Sequence, residues 1–162
     1  MAKQPTISEQ WPHWHGRITI ILRDKRGRFL PGSGKRLDNL IVNVGQNLLR
    51  DGLIGAVTDT AIHYVALGTG MTAPAATDTQ LGAESFRKAV TSQVAGSSVG
   101  QAVTTIFIAP QDANFTIQEI GWFAGVGATS SANSGVMVAR VLYSHNHTNL
   151  ESIQIQRQDN GI

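Results

Sequence analysis

Hydrophobic and polar residues alternate along much of the second half of the chain, as they do in half-buried β-strands. The cleanest case is 152–158, where Ile153 and Ile155 share one face and Gln154 and Gln156 share the other. Further strands are predicted over 62–68, 102–109, 115–123 and 136–143. Because Gly and Ser turns separate these strands, the fold class predicted is mainly β, an antiparallel β-sandwich.

One segment has helical spacing instead of alternation. Between Ile41 and Leu49 the apolar residues recur near i, i+3, i+7 and i+8, which predicts one α-helix packed on the sandwich over about residues 38–54. Asp38 or Asn39 is expected to cap its start. The run 84–94 fits either a helix or a strand, and both interpretations stay open.

The first 37 residues differ from the rest. Residues 17–37 predict a basic β-hairpin, in which a β-branched strand is followed by a turn at Asp24–Gly27, a second strand at 28–30 and a break at 31–34. Residues 1–16 have no apolar periodicity and are predicted to form an extended N-terminal arm. Its Trp11 and Trp14 either fold back on the chain's own core or anchor a contact with a neighbouring subunit. We therefore divide the chain into this arm, 1–16, and a single domain, 17–162.

Composition excludes several classes of protein and of binding site. The chain has 162 residues, enough for one domain with its own core, and no cysteine, which excludes disulfides and thiolate metal sites. Charged residues make up 15%, against a usual share of about 25%. No apolar run approaches the roughly 18 residues of a membrane span, and no signal peptide is apparent. We expect no cofactor and no membrane contact.

Positive charge is concentrated near the start, because nine of the 13 Lys and Arg residues lie in the first 50. The basic residues expected to contact neighbours are Arg23, Lys25, Arg26, Arg28, Lys35 and Arg36. A basic half and an acidic half suit either a polyanionic partner or like subunits stacked head to tail. Since Phe29 is the only aromatic residue in the basic stretch 23–36, and base stacking requires aromatic side chains, DNA contact is not expected.

A hydrolase pattern occurs at 96–100, where G-x-S-x-G contains Ser98. Asp112 and His145 follow in the chain order of a Ser–Asp–His triad. That motif requires a helix after the nucleophile, whereas a strand is predicted there. We therefore predict that the protein is not an enzyme and keep hydrolysis as a remote alternative.

Two H-x-H pairs could contribute metal ligands: His13 with His15, and His145 with His147. Side chains at i and i+2 of a strand share a face, so each pair could supply two imidazoles. A stable site usually requires three or four ligands, so metal binding is a second remote alternative.

Four short sequence motifs, called phrases below, follow one another in the chain: YVALGTG at 64–70, DTQLGAESFR at 78–87, IQEIGWF at 117–123 and GVMVAR at 135–140. Their order resembles tail-associated structural proteins of tailed bacteriophages, in particular the N-terminal domain of tail-collar fibre proteins and related small virion proteins. The resemblance covers about residues 38–158. It concerns the attachment module of those proteins and not their shaft or receptor-binding tip.

The resemblance implies a structural subunit of a bacteriophage virion that is made in the host cytoplasm and acts by protein–protein assembly. The tail is favoured, at the baseplate, collar or fibre attachment, and a capsid decoration or head-surface protein is the alternative. The implied partners are copies of itself in a symmetric assembly and other virion proteins. Structural roles are expected for Gly68, Gly70, Glu84, Arg87, Glu119, Gly121 and Arg140. We further predict that Glu119 pairs with Arg87 or Arg140.

Overall fold

The structure is a computed structural model that describes residues 14–162, in which nine strands form one antiparallel sheet with a helix packed on it. The elements are β1 (His15–Asp24), β2 (Lys35–Ile41), α1 (Asn43–Leu53), β3 (Ile62–Gly68), β4 (Glu84–Ala89), β5 (Ser92–Ala95), β6 (Gln101–Ile108), β7 (Thr116–Ala124), β8 (Val136–Asn146) and β9 (Glu151–Asn160). The strand order is β4-β3-β7-β8-β2-β1-β9-β6-β5. The prediction of a mainly β, antiparallel fold is confirmed.

The sheet curls into half a barrel, and its two end strands follow each other in the chain. Only Val90 and Thr91 separate β4 from β5. The Val90 amide donates to the carbonyl of His63 on β3 at 2.9 Å, and the Thr91 amide donates to that of Thr105 on β6 at 2.8 Å. Residues 84–94, for which a helix and a strand were both possible, therefore fall in two short strands, β4 and β5, at opposite ends of the sheet.

Alternation along the strands places the core on the inner face of the curl. On β9, Ile153 and Ile155 are buried and the neighbouring glutamines are half-buried, as predicted. Ile153 and Ile155 belong to one hydrophobic cluster with residues of several other strands: Ile18, Ile20, Val65, Ile106, Ile120 and Trp122. The core is thus shared by strands from both halves of the sheet.

The predicted start of the helix is wrong, because residues 38–41 end strand β2. Leu40 and Ile41 pair with Arg140 and Ala139 of β8, and these ladder bonds outweigh the helical spacing. Helix α1 begins after Val42, which makes no side-chain cap, so neither Asp38 nor Asn39 caps it. In residues 14–162, no helix is long and apolar enough to cross a membrane.

Helix α1 lies very close to strand β8. A Cβ added at Gly45 would come within 2.6 Å of the Cα of Val138, so only glycine permits this approach. Leu48, one turn further along, is buried in the core. After the helix, Gly55 has φ +72°, the left-handed conformation that commonly ends helices.

The predicted turn of the basic hairpin is present, but the predicted second strand at 28–30 is wrong: Phe29 makes only an isolated bridge to Arg23, and β2 begins at Lys35. Strand β1 pairs with β2 from Gly16–Asn39 to Ile20–Lys35, and β1 starts two residues before the predicted domain boundary at 17. The Asp24 carboxylate accepts the amides of Arg26 and Arg28 in the predicted turn. Residues 1–13 of the predicted arm, with Trp11 and His13, lie outside the described residues.

Candidate functional site

Glu119 is fully buried on β7, and its carboxylate has four hydrogen-bond donors. Oε1 accepts the amides of Gly70 at 3.0 Å and Ala83 at 2.7 Å. Oε2 accepts the amide of Gly82 at 3.0 Å and Nε of Arg140 at 2.8 Å. The carboxylate therefore ties both ends of the 69–83 loop to the sheet, and burial of its charge is compensated by these donors.

Arg140 completes this group from the neighbouring strand β8. Its side chain is 3% exposed, with Nη1 donating to Asp78 Oδ2 at 2.7 Å and Nη2 donating to the carbonyl of Thr72 at 2.9 Å. We call Glu119, Arg140, Asp78 and the loop backbone that they bind the Glu119–Arg140 cluster. It holds the 69–83 loop at its ends and at two points between them.

Three glycines make room for this cluster. A Cβ at Gly68 or Gly70 would lie 2.5 Å or 2.4 Å from Oε1 of Glu119, closer than atoms pack. At Gly121 a Cβ would meet Leu81, whose buried side chain covers that position from the loop, at 2.8 Å. The structural roles predicted for these three glycines therefore have a specific cause, which is close approach and not a positive φ.

A second buried pair fastens another loop. Arg87 and Glu84 on β4 are each 3% exposed in their side chains and meet at 2.7 Å. Nη1 of Arg87 donates to the carbonyl of Ser134 at 2.8 Å, and Glu84 accepts the amide of Asn133 at 3.0 Å. The guanidinium lies 3.9 Å above the ring of Phe123. This Glu84–Arg87 cluster binds the 125–135 loop to the edge of the sheet.

The pairing predicted for Glu119 is thus confirmed for Arg140, whereas Arg87 pairs with Glu84 instead. Asp78 is the third charged member of the first cluster, and the sequence analysis missed it. Burial opposes its ionisation, but the hydrogen bond from the Ala75 amide and the Arg140 guanidinium outweigh that effect and lower its pKa.

Trp14 folds back on its own chain, which is the first of the two contacts predicted for it. The indole Nε1 donates to Asp159 Oδ1 at 2.7 Å, and the ring packs against the core. Asp159 also accepts Nη2 of Arg157, which is fully buried. The Arg157 guanidinium lies 5.9 Å from the Trp14 ring centroid and 5.3 Å from that of Trp122.

Arg157 is a buried charge that the sequence analysis also missed. Burial lowers its pKa, and the Asp159 carboxylate opposes that shift. Its Nε and Nη1 atoms have no hydrogen-bond partner among the described residues. Its position in the sequence nevertheless indicated burial, because residues 153, 155, 157 and 159 share one face of β9 and the first two are core isoleucines.

His145 and His147 do not come together as predicted for a metal site, and His13 of the other pair lies outside the described residues. His145 Nε2 lies 2.7 Å from Glu151 Oε1, while the ring nitrogens of His147 face the carbonyls of Ala113 and Glu151. His15 lies at the start of β1, in another part of the sheet. Among residues 14–162, no group of three His, Asp or Glu is placed to hold a metal ion.

Ser98 lies at the opposite end of strand β6 from Asp112, so the predicted hydrolase residues do not form a triad. Ser98 is exposed in the turn between β5 and β6, and a strand, not a helix, follows it. The Asp112 carboxylate binds Nζ of Lys88 at 2.6 Å, and His145 binds Glu151. The contacts of Asp112 and His145 are therefore with residues outside the proposed triad.

A cavity of about 460 Å³ lies between α1 and the strands β5 and β6. Its walls are mostly apolar, and Asp159 is the charged residue lining it. Because the Asp159 carboxylate already binds Trp14 and Arg157, the cavity presents an internally paired carboxylate and not a free one.

Residues from four separate phrases of the sequence meet in the Glu119–Arg140 cluster. Gly70 comes from the first phrase, Asp78 and Gly82 from the second, Glu119 from the third and Arg140 from the fourth. Comparison of the chain with models of known protein families, with curated protein sequences and with solved structures finds no match. The convergence of the phrases is an observation on this chain alone.

Proposed function

We propose that this chain is a structural subunit of a bacteriophage virion, in the tail at the baseplate, collar or fibre attachment, and that it acts by assembly. The observation that carries the proposal is the Glu119–Arg140 cluster. Each of the four phrases that resemble tail-collar proteins contributes a residue to this cluster. The residues on which the resemblance depends therefore have the same structural role. That role is to fix the 69–83 loop on the sheet.

A fixed loop suits a subunit that works by packing against neighbours. Binding is weakened by the entropy lost when mobile loops become ordered, and a preorganised surface avoids that loss. Here two loops, 69–83 and 125–135, are held by buried charges of the Glu119–Arg140 and Glu84–Arg87 clusters. Glu119 and Arg140 are bound to each other and to loop backbone, which is the arrangement expected of a positioning role.

In this proposal the two halves of the curled sheet act as the layers of a sandwich. Ile18 and Ile155 from one half share a hydrophobic cluster with Val65 and Trp122 from the other. Such a body could carry contacts on several sides. Large apolar side chains are exposed at the end of α1, where Leu53 is 83% and Ile54 70% exposed, and on the 125–135 loop, where Val126 is 88% exposed. Leu53 and Ile54 are adjacent, and exposed apolar residues that lie together are a common feature of subunit interfaces.

Residues 1–13 are proposed as a strap between copies, with Trp11 as its anchor. Since Trp14 binds Asp159 of its own chain, the strap has a fixed starting point on the domain. Deleting residues 1–13 keeps that hydrogen bond and all of β1, so the truncated chain should fold.

Native mass spectrometry of the purified full chain, the truncated chain and the Trp11→Ala variant tests this proposal. We expect a symmetric oligomer for the full chain and smaller species for the other two, while Ser8→Ala, a control within the same segment, keeps the oligomer. A full chain that stays monomeric at high concentration would contradict assembly from copies of itself. Normal assembly by the truncated chain would contradict the strap.

A further inference from the structure

One end of the sheet is formed by the 23–36 segment of the hairpin, with Leu150 beside it. Strand β1 pairs with β9 as far as Asp24 and Glu151, which brings the turn before β9 next to the hairpin turn. We call this surface, residues 23–36 and Leu150, the basic end. It carries all six basic residues that the sequence analysis singled out.

The tip of the basic end is preorganised. The Asp24 carboxylate accepts the amides of Arg26 at 2.8 Å and Arg28 at 3.0 Å, and it binds the Arg28 guanidinium at 2.7 Å. Arg23 donates to the carbonyl of Gly27 at 3.1 Å and stacks on Phe29 at 3.9 Å. These contacts fix the turn before any partner binds, which lowers the entropy lost on binding.

Most positive charge at the basic end is uncompensated. Asp24 is the only acidic residue of this segment, and it is occupied by Arg28. Within the described part of the chain, no carboxylate lies within ion-pair distance of Lys25, Arg26, Lys35 or Arg36, and all four are exposed. The surface therefore selects for negative charge in a partner.

The partner's negative charge does not come readily from a second copy of this chain. Of the eight acidic residues after position 50, Asp59 and Glu151 contact a histidine of their own chain. The other six contact an Arg or Lys of their own chain: Asp51, Asp78, Glu84, Asp112, Glu119 and Asp159. The most exposed of these side chains, Asp51, is 30% exposed and binds Arg50. Among the described residues, only Asp38 offers a largely exposed carboxylate, 84% exposed and 3.7 Å from Arg17, and the others would have to leave internal contacts to meet a second copy.

The basic end also exposes apolar area, which favours a protein over a nucleic acid. Phe29 and Leu150 are each 63% exposed. Arg and aromatic residues together are enriched in protein interfaces. Arg23 already covers one face of the Phe29 ring, which leaves one face for a partner to contact.

We propose that the basic end docks a different protein of the assembly, through an acidic surface with an apolar centre. This inference rests on the proposed assembly function and names the chemistry of one partner. The cations supply long-range attraction, and Phe29 and Leu150 supply the contact that distinguishes an acidic protein surface from a bare polyanion.

Binding of three labelled probes to the full chain tests the proposal by fluorescence anisotropy. The probes are a peptide with Leu and Phe interspersed among Asp and Glu, a poly-glutamate of equal charge, and a random-sequence DNA duplex. We expect the mixed peptide to bind best, by about tenfold, the gain from burying one large apolar side chain. Phe29→Ser should remove that preference, and Lys25→Glu with Arg26→Glu should abolish binding, whereas Arg50→Glu, an exposed control on α1, should keep both.

Several results would overturn the proposal. Failure of every probe to bind the full chain, or binding that survives the double charge reversal, excludes a docking role for these cations. Strongest binding to DNA, unaffected by Phe29→Ser, replaces the protein partner with a nucleic acid. Native mass spectra of the same variants separate this test from the assembly proposal. A monomer that binds the mixed peptide contradicts only self-assembly, and an oligomer dissolved by the charge reversal makes the basic end a contact between copies.

Discussion

Glu119 and Arg140 form a buried ion pair between neighbouring strands, with Nη2 of Arg140 2.8 Å from Oε2 of Glu119 and side-chain exposures of 0% and 3%. The pair lies under the 69–83 loop, which binds it through the backbone of Gly70, Thr72 and Ala83 and through the side chain of Asp78. Stability of the sheet and position of the loop therefore depend on the same two side chains.

Arg140→Met is expected to lower the free energy of unfolding by about 3–5 kcal/mol, because it leaves the Glu119 carboxylate buried without its cation. Adding Glu119→Gln should recover part of that loss, since it removes the uncompensated charge. Urea unfolding of both variants measures the effect, with Arg50→Met as the exposed control. A single variant as stable as the original chain would contradict the role given to the pair.

Gly70→Ala should destabilise the protein by roughly 1–3 kcal/mol, the usual range for an overpacked buried site. The added Cβ would lie 2.4 Å from Oε1 of Glu119 and displace the loop. Gly127→Ala is the matched control, because the nearest atom would be 3.8 Å away and no positive φ is involved. Equal unfolding midpoints for the two variants would show that close approach at Gly70 is not limiting.

Much of the fold could be predicted because its signals are local. Ile153 and Ile155 reveal β9 by alternation alone, and Asp24 marks the turn of the hairpin through its own side-chain chemistry. The helix was predicted to include Ile41, which lies in strand β2, because a single apolar residue fits a strand and a helix equally well. Its pairing with Ala139, nearly 100 positions away in sequence, decided the outcome.

The candidate site could be predicted only in part, for the same physical reason. The sequence analysis found the residues of the Glu119–Arg140 pair, but the third member, Asp78, reaches Arg140 across 62 positions. Arg157 is different, because its spacing from Ile155 placed it on the core face. The usual preference of arginine for the surface concealed that signal.

Acid should weaken the fold through Asp78. Its folded pKa lies below the ordinary value of 3.8, so the carboxylate adds stability above that value and loses it as the pH falls through the folded pKa. We expect urea midpoints to fall between about pH 5 and pH 2. The slope should be shallower in Asp78→Asn, and an unchanged slope in that variant would assign the acid sensitivity to other groups.

Alkali should weaken the fold through Tyr143. Burial, followed by the nearby Glu151 charge, raises the pKa of its phenol from 10.0 to about 12. The unfolded chain therefore loses its proton first, so stability is complete below pH 10.0 and falls as the pH rises towards about 12. Unfolding midpoints across this range should fall less in Tyr143→Phe. Identical profiles for the two proteins would contradict the burial effect.

We propose that this chain is a virion subunit of the tail, and quantitative mass spectrometry of purified phage particles that carry its gene measures whether the particle contains it. Copy number is referred to the major capsid protein. We expect a low copy number that follows the tail components when heads and tails are separated. A copy number close to that of the capsid protein would assign the chain to the head surface. Absence of the chain from the particle would contradict the claim outright.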